Sequence, residues 1–158
     1  MAKINVLMPV FNSVQRNGNM IHTALQSLLN QTFTDFKLSI LDNISDDETP
    51  DISDLIERMI QADAWIVVAP EYNGSMPPTL NNAIAWISRD WQNFRKMCTG
   101  KPVGLATHSG GGGDHVIMAM RQQFSYIGAD VIGRACVSGR NKEANPDTID
   151  AMITNLAN

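Results

Sequence analysis

Cysteine pairs, basic runs and long apolar stretches are all missing from this chain. Of its 158 residues only two are cysteines, Cys98 and Cys136, far apart and outside any CxxC spacing. A disulfide framework or a structural zinc site needs more thiols at closer intervals, so both are disfavoured. No apolar run approaches the roughly 20 residues that a helix needs to cross a bilayer. The first residues, Met1-Ala2-Lys3-Ile4-Asn5-Val6-Leu7-Met8-Pro9, carry one Lys and an apolar stretch cut by Asn5 and Pro9. That is not the pattern of a secretory leader, and the expected compartment is the cytoplasm. Lys and Arg total 12 against 16 Asp and Glu, a net charge of −4 with a pI near 5.2. A nucleic-acid binder needs a positive footprint that this balance does not supply.

What is present is the composition of a globular protein, 44% hydrophobic and 18% charged. A chain of this length is expected to form a single domain over residues 1–158 and to bury about two-thirds of its unfolded surface. Short apolar strands alternate with amphipathic helices along it. Ile4 to Phe11 is a nearly continuous apolar run, as expected of a parallel strand covered on both faces. Ile21, Ala24, Leu25, Leu28 and Leu29 recur at helical spacing. Phe36, Leu38 and Ile40 alternate with Lys37 and Ser39, the pattern of an edge strand.

Ile52, Leu55, Ile56, Met59 and Ile60 mark a second helix, and Ala64 to Ala69 a buried strand. Leu80, Ile84, Ile87, Trp91 and Phe94 predict one long helix with a continuous core stripe, and Trp86 lies about 100° off that stripe. Gly100 and Pro102 close it. Val103 to Thr107, Val116 to Ile127, Val131 to Val137 and Pro146 to Ala157 continue as strand, helix, strand and helix. Five β-α repeats with helical crossovers predict parallel strands, right-handed connections and an α/β doubly wound sheet with helices on both faces. The edge-like second strand favours the order 2-1-3-4-5. Ligands of such sheets sit beyond the carboxyl ends of the strands, so the loops after strands one, three and four are the candidate site.

Asn12-Ser13-Val14-Gln15-Arg16-Asn17-Gly18-Asn19 follows strand one and opens a helix. Free backbone N–H groups there, with Ser, Asn and Arg side chains, suit a phosphate; a plain capped helix start is the alternative. Pro70-Glu71-Tyr72-Asn73-Gly74-Ser75-Met76-Pro77-Pro78 follows strand three. Three prolines and a glycine suit a rigid platform whose backbone reads a planar heterocycle, against a simple Asn-Gly turn bearing a surface Tyr. Thr107-His108-Ser109-Gly110-Gly111-Gly112-Gly113-Asp114-His115 follows strand four. Its glycines allow close approach of backbone to ligand, or mere flexibility. His108 and His115, alone across glycines, make a weak metal pair. Ser109 half matches a nucleophile elbow, but no His follows His115 to complete a triad in that fold's order.

Ala69-Pro70-Glu71-Tyr72-Asn73-Gly74-Ser75-Met76-Pro77, followed by Leu80, Asn82-Ala83-Ile84 and Trp86, resembles the signature of the NAD(P)H-dependent FMN reductase family. Lys101 to Ala106, the Ser109 glycine loop, Arg121-Gln122 and Gly128-Ala129 resemble its fourth strand and following helix, so the resemblance covers most of the chain. It implies a flavodoxin-like fold, bound FMN, NADPH or NADH as co-substrate, and a homodimer or homotetramer with the helix after PEYNGS at the interface. Trp86 is then a candidate partner or pocket contact, against a merely half-buried helix residue. The resemblance further implies that Asn12, Ser13, Gln15, Arg16, Asn17, Gly18 and Asn19 take the FMN phosphate. Pro70, Glu71, Tyr72, Asn73 and Gly74 would line the isoalloxazine, with His108, Ser109, Gly110 and Gly111 approaching its other side.

The first loop departs from the family's usual Gly-Ser-x-Arg-x-x-Ser-x-Asn. Asn12 stands for the glycine, Arg16 is displaced by one position, and Gly18 replaces the second Ser. The implied activity passes hydride from NAD(P)H to FMN and on to a small-molecule electron acceptor: a quinone, azo dye, metal oxyanion or free flavin. It asks for no side-chain acid or base, which accords with the lack of a paired-carboxylate motif. A flavodoxin-type electron carrier and a flavodoxin-like module without FMN are the competing readings. If Arg16 holds the phosphate, Arg16→Ala weakens FMN binding by about 1–3 kcal/mol; unchanged affinity in a flavin titration removes Arg16 from the site.

Overall fold

The computed structural model describes the backbone of Ile4–Val10 and Phe36–Asp42, and residues 52–158. Three parallel strands form the centre of what is described: β3 (Ala64–Val68), β4 (Pro102–His108) and β5 (Asp130–Ser138). β1 (Ile4–Val10) registers in parallel with β3 over Ile4 to Leu7, and along its whole length with β2 (Phe36–Asp42). Pro9 lies beyond the residues matched to β3, where its missing N–H removes no bond from that ladder. Five helices are described: α1 (Ile52–Gln61), α2 (Pro78–Ile87), α3 (Trp91–Cys98), α4 (Asp114–Tyr126) and α5 (Pro146–Ala157).

The period of two along each strand divides its side chains between two layers. Trp65, Val67, Val103 and Leu105 join α1, α2, α3 and α4 in one core. Ala64 and Cys136, with Ile66, Ala106 and Ile132, join Met152 and Leu156 of α5 in the other. Helices therefore cover both faces, as the α/β reading requires. Gly104 is what lets α5 sit close. A Cβ there would lie 2.9 Å from Met152 Sδ and 3.1 Å from Leu156 Cδ1. Trp65 is fully buried, and its indole Nε1 donates to the Met59 carbonyl at 3.1 Å. Lys101 Nζ donates to the Ala62 carbonyl and lies 5.7 Å from the Trp65 ring, at the edge of the sheet where β3 and β4 begin.

β5 carries two extra residues between its pairings, from Val103↔Val131 to Leu105↔Ala135. Arg121 of α4 attends this bulge, donating to the carbonyls of Val131, Ile132 and Gly133 at 3.4, 3.0 and 3.1 Å.

The expected long helix is instead two. α2 ends at Ile87, and Asp90 starts α3, its carboxylate accepting from Asn93 N at 3.3 Å and Asn93 Nδ2 at 2.7 Å. An Asp at an N-cap outweighs continuation of the apolar stripe. The restart rotates the register, so Phe94 stays in the core while Trp91 is 58% exposed under the Arg95 guanidinium, 4.4 Å from its ring centroid.

Cys98 has no exposed surface, and burial pushes its thiol up from 9.0 to about 11, with Arg95 and Lys101 pulling it partly back. Between those values the unfolded thiol ionises and the folded one does not. The unfolded state then holds fewer protons, and stability falls as pH rises. Relative to Cys98→Ala, the wild type is expected to lose about 2 kcal/mol of unfolding free energy from pH 9 to 11. Urea melts of the two proteins that stay parallel across this range would contradict it.

Candidate functional site

Because β3 and β4 are parallel neighbours, the loops that leave them emerge side by side. Ala69 extends the ladder by one bond, its N–H donating to the Ala106 carbonyl at 3.1 Å. Pro70 and Glu71 are half-buried, then Tyr72 to Ser75 project outward. Asn73 and Gly74 both have positive φ, 51° and 72°, and Tyr72 and Ser75 exchange two backbone hydrogen bonds at 3.0 Å. This is the tight turn that Asn-Gly favours. Tyr72 at its shoulder is 41% exposed. Locally the segment is the Asn-Gly turn with a surface Tyr, held outward at the end of a buried strand. Pro77 and Pro78 then open α2 without needing the N–H groups they lack.

At the end of β4, Thr107 and the following Ser109 point inward while His108 is exposed. His108 Nδ1 lies 3.1 Å from Ser138 Oγ, which donates to the Thr107 carbonyl at 3.2 Å. Ser109 Oγ accepts from Gly111 N at 3.1 Å, and Ser109 N donates to the Ser138 carbonyl at 3.0 Å. The Ser109 hydroxyl thus braces the loop, and neither His108 nor His115 is hydrogen-bonded to it. Gly110 and Gly112 have open space where a side chain would stand. Gly113 begins α4 at φ +82°, and a Cβ there would meet Thr107 Cγ2 at 2.6 Å. The Thr107 hydroxyl beneath this loop is buried and has no hydrogen-bond partner among the described residues.

Two contributions escaped sequence reasoning. The first is the end of β5: a Cβ on Gly139 would lie 2.4 Å from the Ser109 carbonyl oxygen, so Ser138-Gly139 packs directly against the β4 loop. A glycine at the end of a strand was the available signal. The second is the Glu71 side chain, whose Oε2 accepts from Val116 N at 3.4 Å.

Of the expected site residues, Pro70 to Gly74 and His108 to Gly111 are therefore brought to one edge of the sheet. Asn12, Ser13, Gln15, Arg16, Asn17, Gly18 and Asn19 lie outside the described residues. Trp86 is 44% exposed, with the Arg89 guanidinium 5.0 Å from its ring centroid.

These features define an α/β protein whose candidate site lies at the carboxyl edge of a parallel sheet. The profile of the NADPH-dependent FMN reductase family matches residues 11–144, and the chain belongs to that family. Quinone reductase of Escherichia coli (strain K12) is 39% identical over 82 residues, 51% of this chain and 42% of that protein. The 2-hydroxy-1,4-benzoquinone reductase of a Burkholderia species is 40% identical over 58 residues, 36% of this chain and 31% of that protein. The aligned segments thus span less than half the length of these curated relatives.

Among solved structures, general stress protein 14 of Treponema denticola in complex with FMN superimposes with a TM-score of 0.69 at 14% identity, covering 98% of this chain and 97% of that one. FerB, a flavoenzyme NAD(P)H:(acceptor) oxidoreductase from Paracoccus denitrificans, has a TM-score of 0.64 at 22% identity, covering 84% and 76%. At these identities the likeness is one of fold, α/β with flavodoxin-like neighbours.

Gly113→Ala is expected to cost about 1–3 kcal/mol, because φ is positive and Thr107 occupies the space. Gly110→Ala, which meets nothing, is expected to stay within about 0.5 kcal/mol of wild type. Equal costs for both in denaturant melts would contradict this geometry.

Proposed function

We propose that this chain is an FMN-dependent NAD(P)H oxidoreductase whose electron acceptor is a small molecule of the quinone class. The observation that carries this reading is the convergence of the PEYNGS turn and the Ser109 glycine loop at one sheet edge, inside the segment matched by the family. The quinone class is favoured by the names of the sequence relatives. An azo dye, a metal oxyanion and free flavin are the other acceptors to test.

The residues present fit a flat, largely planar cofactor. The Asn73-Gly74 turn is rigid, Tyr72 offers a partly exposed ring, and Gly110 and Gly112 leave backbone uncovered. Pro70 to Gly74 and His108 to Gly111 would hold the isoalloxazine, and Asn12 to Asn19 the phosphate. When bound, FMN supplies two-electron chemistry between nicotinamide and acceptor. The protein's part is to bind, orient and exclude water. Loop N–H groups are the donors available to a polar ring edge, where they stabilise negative charge. On this reading the protein is a single flavodoxin-like domain over 1–158 with strand order 2-1-3-4-5. Support comes from the register of Ile4–Val10 beside both Ala64–Val67 and Phe36–Asp42. It works as a homodimer or homotetramer in the cytoplasm, with exposed Trp86 on α2 a candidate contact. Among the described residues no helix is long and apolar enough to cross a membrane.

An absorption spectrum with an FMN titration, followed by NADH and NADPH oxidation with a quinone, tests this reading. Saturable flavin binding and acceptor-dependent oxidation are expected; a protein that ignores FMN contradicts it. Asn73→Pro and Gly74→Val, which cannot keep the positive φ at these positions, are expected to lower FMN affinity while the circular dichroism stays that of wild type. Normal affinity in both variants would remove the turn from the site.

A further inference from the structure

Glu71 sits on one site loop, and its carboxylate acts on the other. Its Oε2 accepts from the N–H of Val116, 45 residues along the chain, at 3.4 Å. Val116 is the third residue of α4, whose N–H has no partner within the helix. An ordinary helix meets that need with an Asp, Ser or Asn side chain at its N-cap. Here the N-cap is Gly113, held at φ +82°, which offers no side chain. Its glycine is imposed by Thr107, so the loop that makes room for close backbone approach also forfeits its own cap. Glu71 supplies the missing acceptor from outside, and adds negative charge at the positive end of the helix dipole. The same carboxylate lies over the glycine loop: a Cβ on Gly111 would be 3.2 Å from Glu71 Oε1. One side chain therefore bonds to the beginning of α4 and fills the space beside Gly111 in the loop that precedes it.

We propose that Glu71 is a positioning residue: it straps the PEYNGS turn to the glycine loop and sets the gap in which the flavin ring is held. This role rests on the flavin reading above. It is distinct from lining the ring with the Glu71 backbone, because it works through the carboxylate and the Val116 amide. Strength of the contact depends on reach as well as charge. Gln keeps the reach and an acceptor oxygen, Asp keeps the charge but is a methylene shorter, and Ala keeps neither.

The test joins two readouts on Glu71→Ala, Glu71→Asp and Glu71→Gln. Hydrogen exchange of the Val116 amide, measured without flavin, reads the strap itself. It should accelerate about tenfold or more in Glu71→Ala and Glu71→Asp and stay near wild type in Glu71→Gln. FMN titration reads the consequence: affinity should fall about tenfold in Glu71→Ala and Glu71→Asp, with Glu71→Gln restoring both affinity and the absorption spectrum of the bound flavin. Unchanged Val116 exchange in Glu71→Ala overturns the strap. Faster exchange with unaltered FMN affinity and spectrum overturns its positioning role. A wild-type protein that binds no FMN overturns the flavin reading and this role with it, and Val116 exchange still decides whether the strap exists.

Discussion

The parallel ladder between β3 and β4 governs where every other described part of the candidate site can be. Trp65 to Val68 pair with Val103 to Ala106, and the Ala69 N–H adds one more bond to Ala106 before the chains part. Parallel pairing sends both chains out of the same edge of the sheet, so two loops more than 30 residues apart in sequence become neighbours. The ladder is buried on both faces: Trp65, Val67, Val103 and Leu105 have no exposed surface, and Gly104 admits α5 closely on the other side. A support packed on two faces fixes the positions of the loop ends, which mobile loops alone cannot do.

Each loop then gains rigidity by its own means. The PEYNGS segment uses backbone conformation: prolines, a two-residue turn with positive φ, and reciprocal bonds between Tyr72 and Ser75. The glycine loop uses contacts instead. The Ser109 hydroxyl takes the Gly111 N–H, Ser138 takes the Ser109 N–H, and Gly139 presses on the Ser109 carbonyl. Exposed Gly110 and Gly112 sit between well-anchored ends, which leaves open backbone at a defined place. The polar groups found there bond to the loops themselves and hold them in place.

Much of this was legible in the sequence because it is local. The α/β alternation follows from apolar periodicity, and Asn73-Gly74 announces its turn because few residues tolerate positive φ. Gly128 ends α4 at φ +98° for the same reason. The break between α2 and α3 was missed because the apolar stripe continues across it: Trp91 falls on the expected face, yet capping by Asp90 restarts the helix and turns that ring outward. Contacts between distant segments left little local trace beyond the glycine that follows β5. Nothing near Glu71 in sequence points to Val116, and nothing near Gly139 points to Ser109. These are consequences of strand order and loop packing, which only the assembled sheet reveals. The segment Asn12 to Asn19, expected to hold the phosphate, lies outside the described residues.

On the proposed reading, the loops leaving β3 and β4 form the two sides of one flavin site. The most direct measurement is an FMN titration followed by amide NMR on the intact protein. The amides of residues 71–75 and 108–113 are expected to shift together, saturating at the same FMN concentration, while α5 and the Lys101 end of the sheet stay still. Shifts confined to one loop, or centred on another part of the molecule, would contradict it.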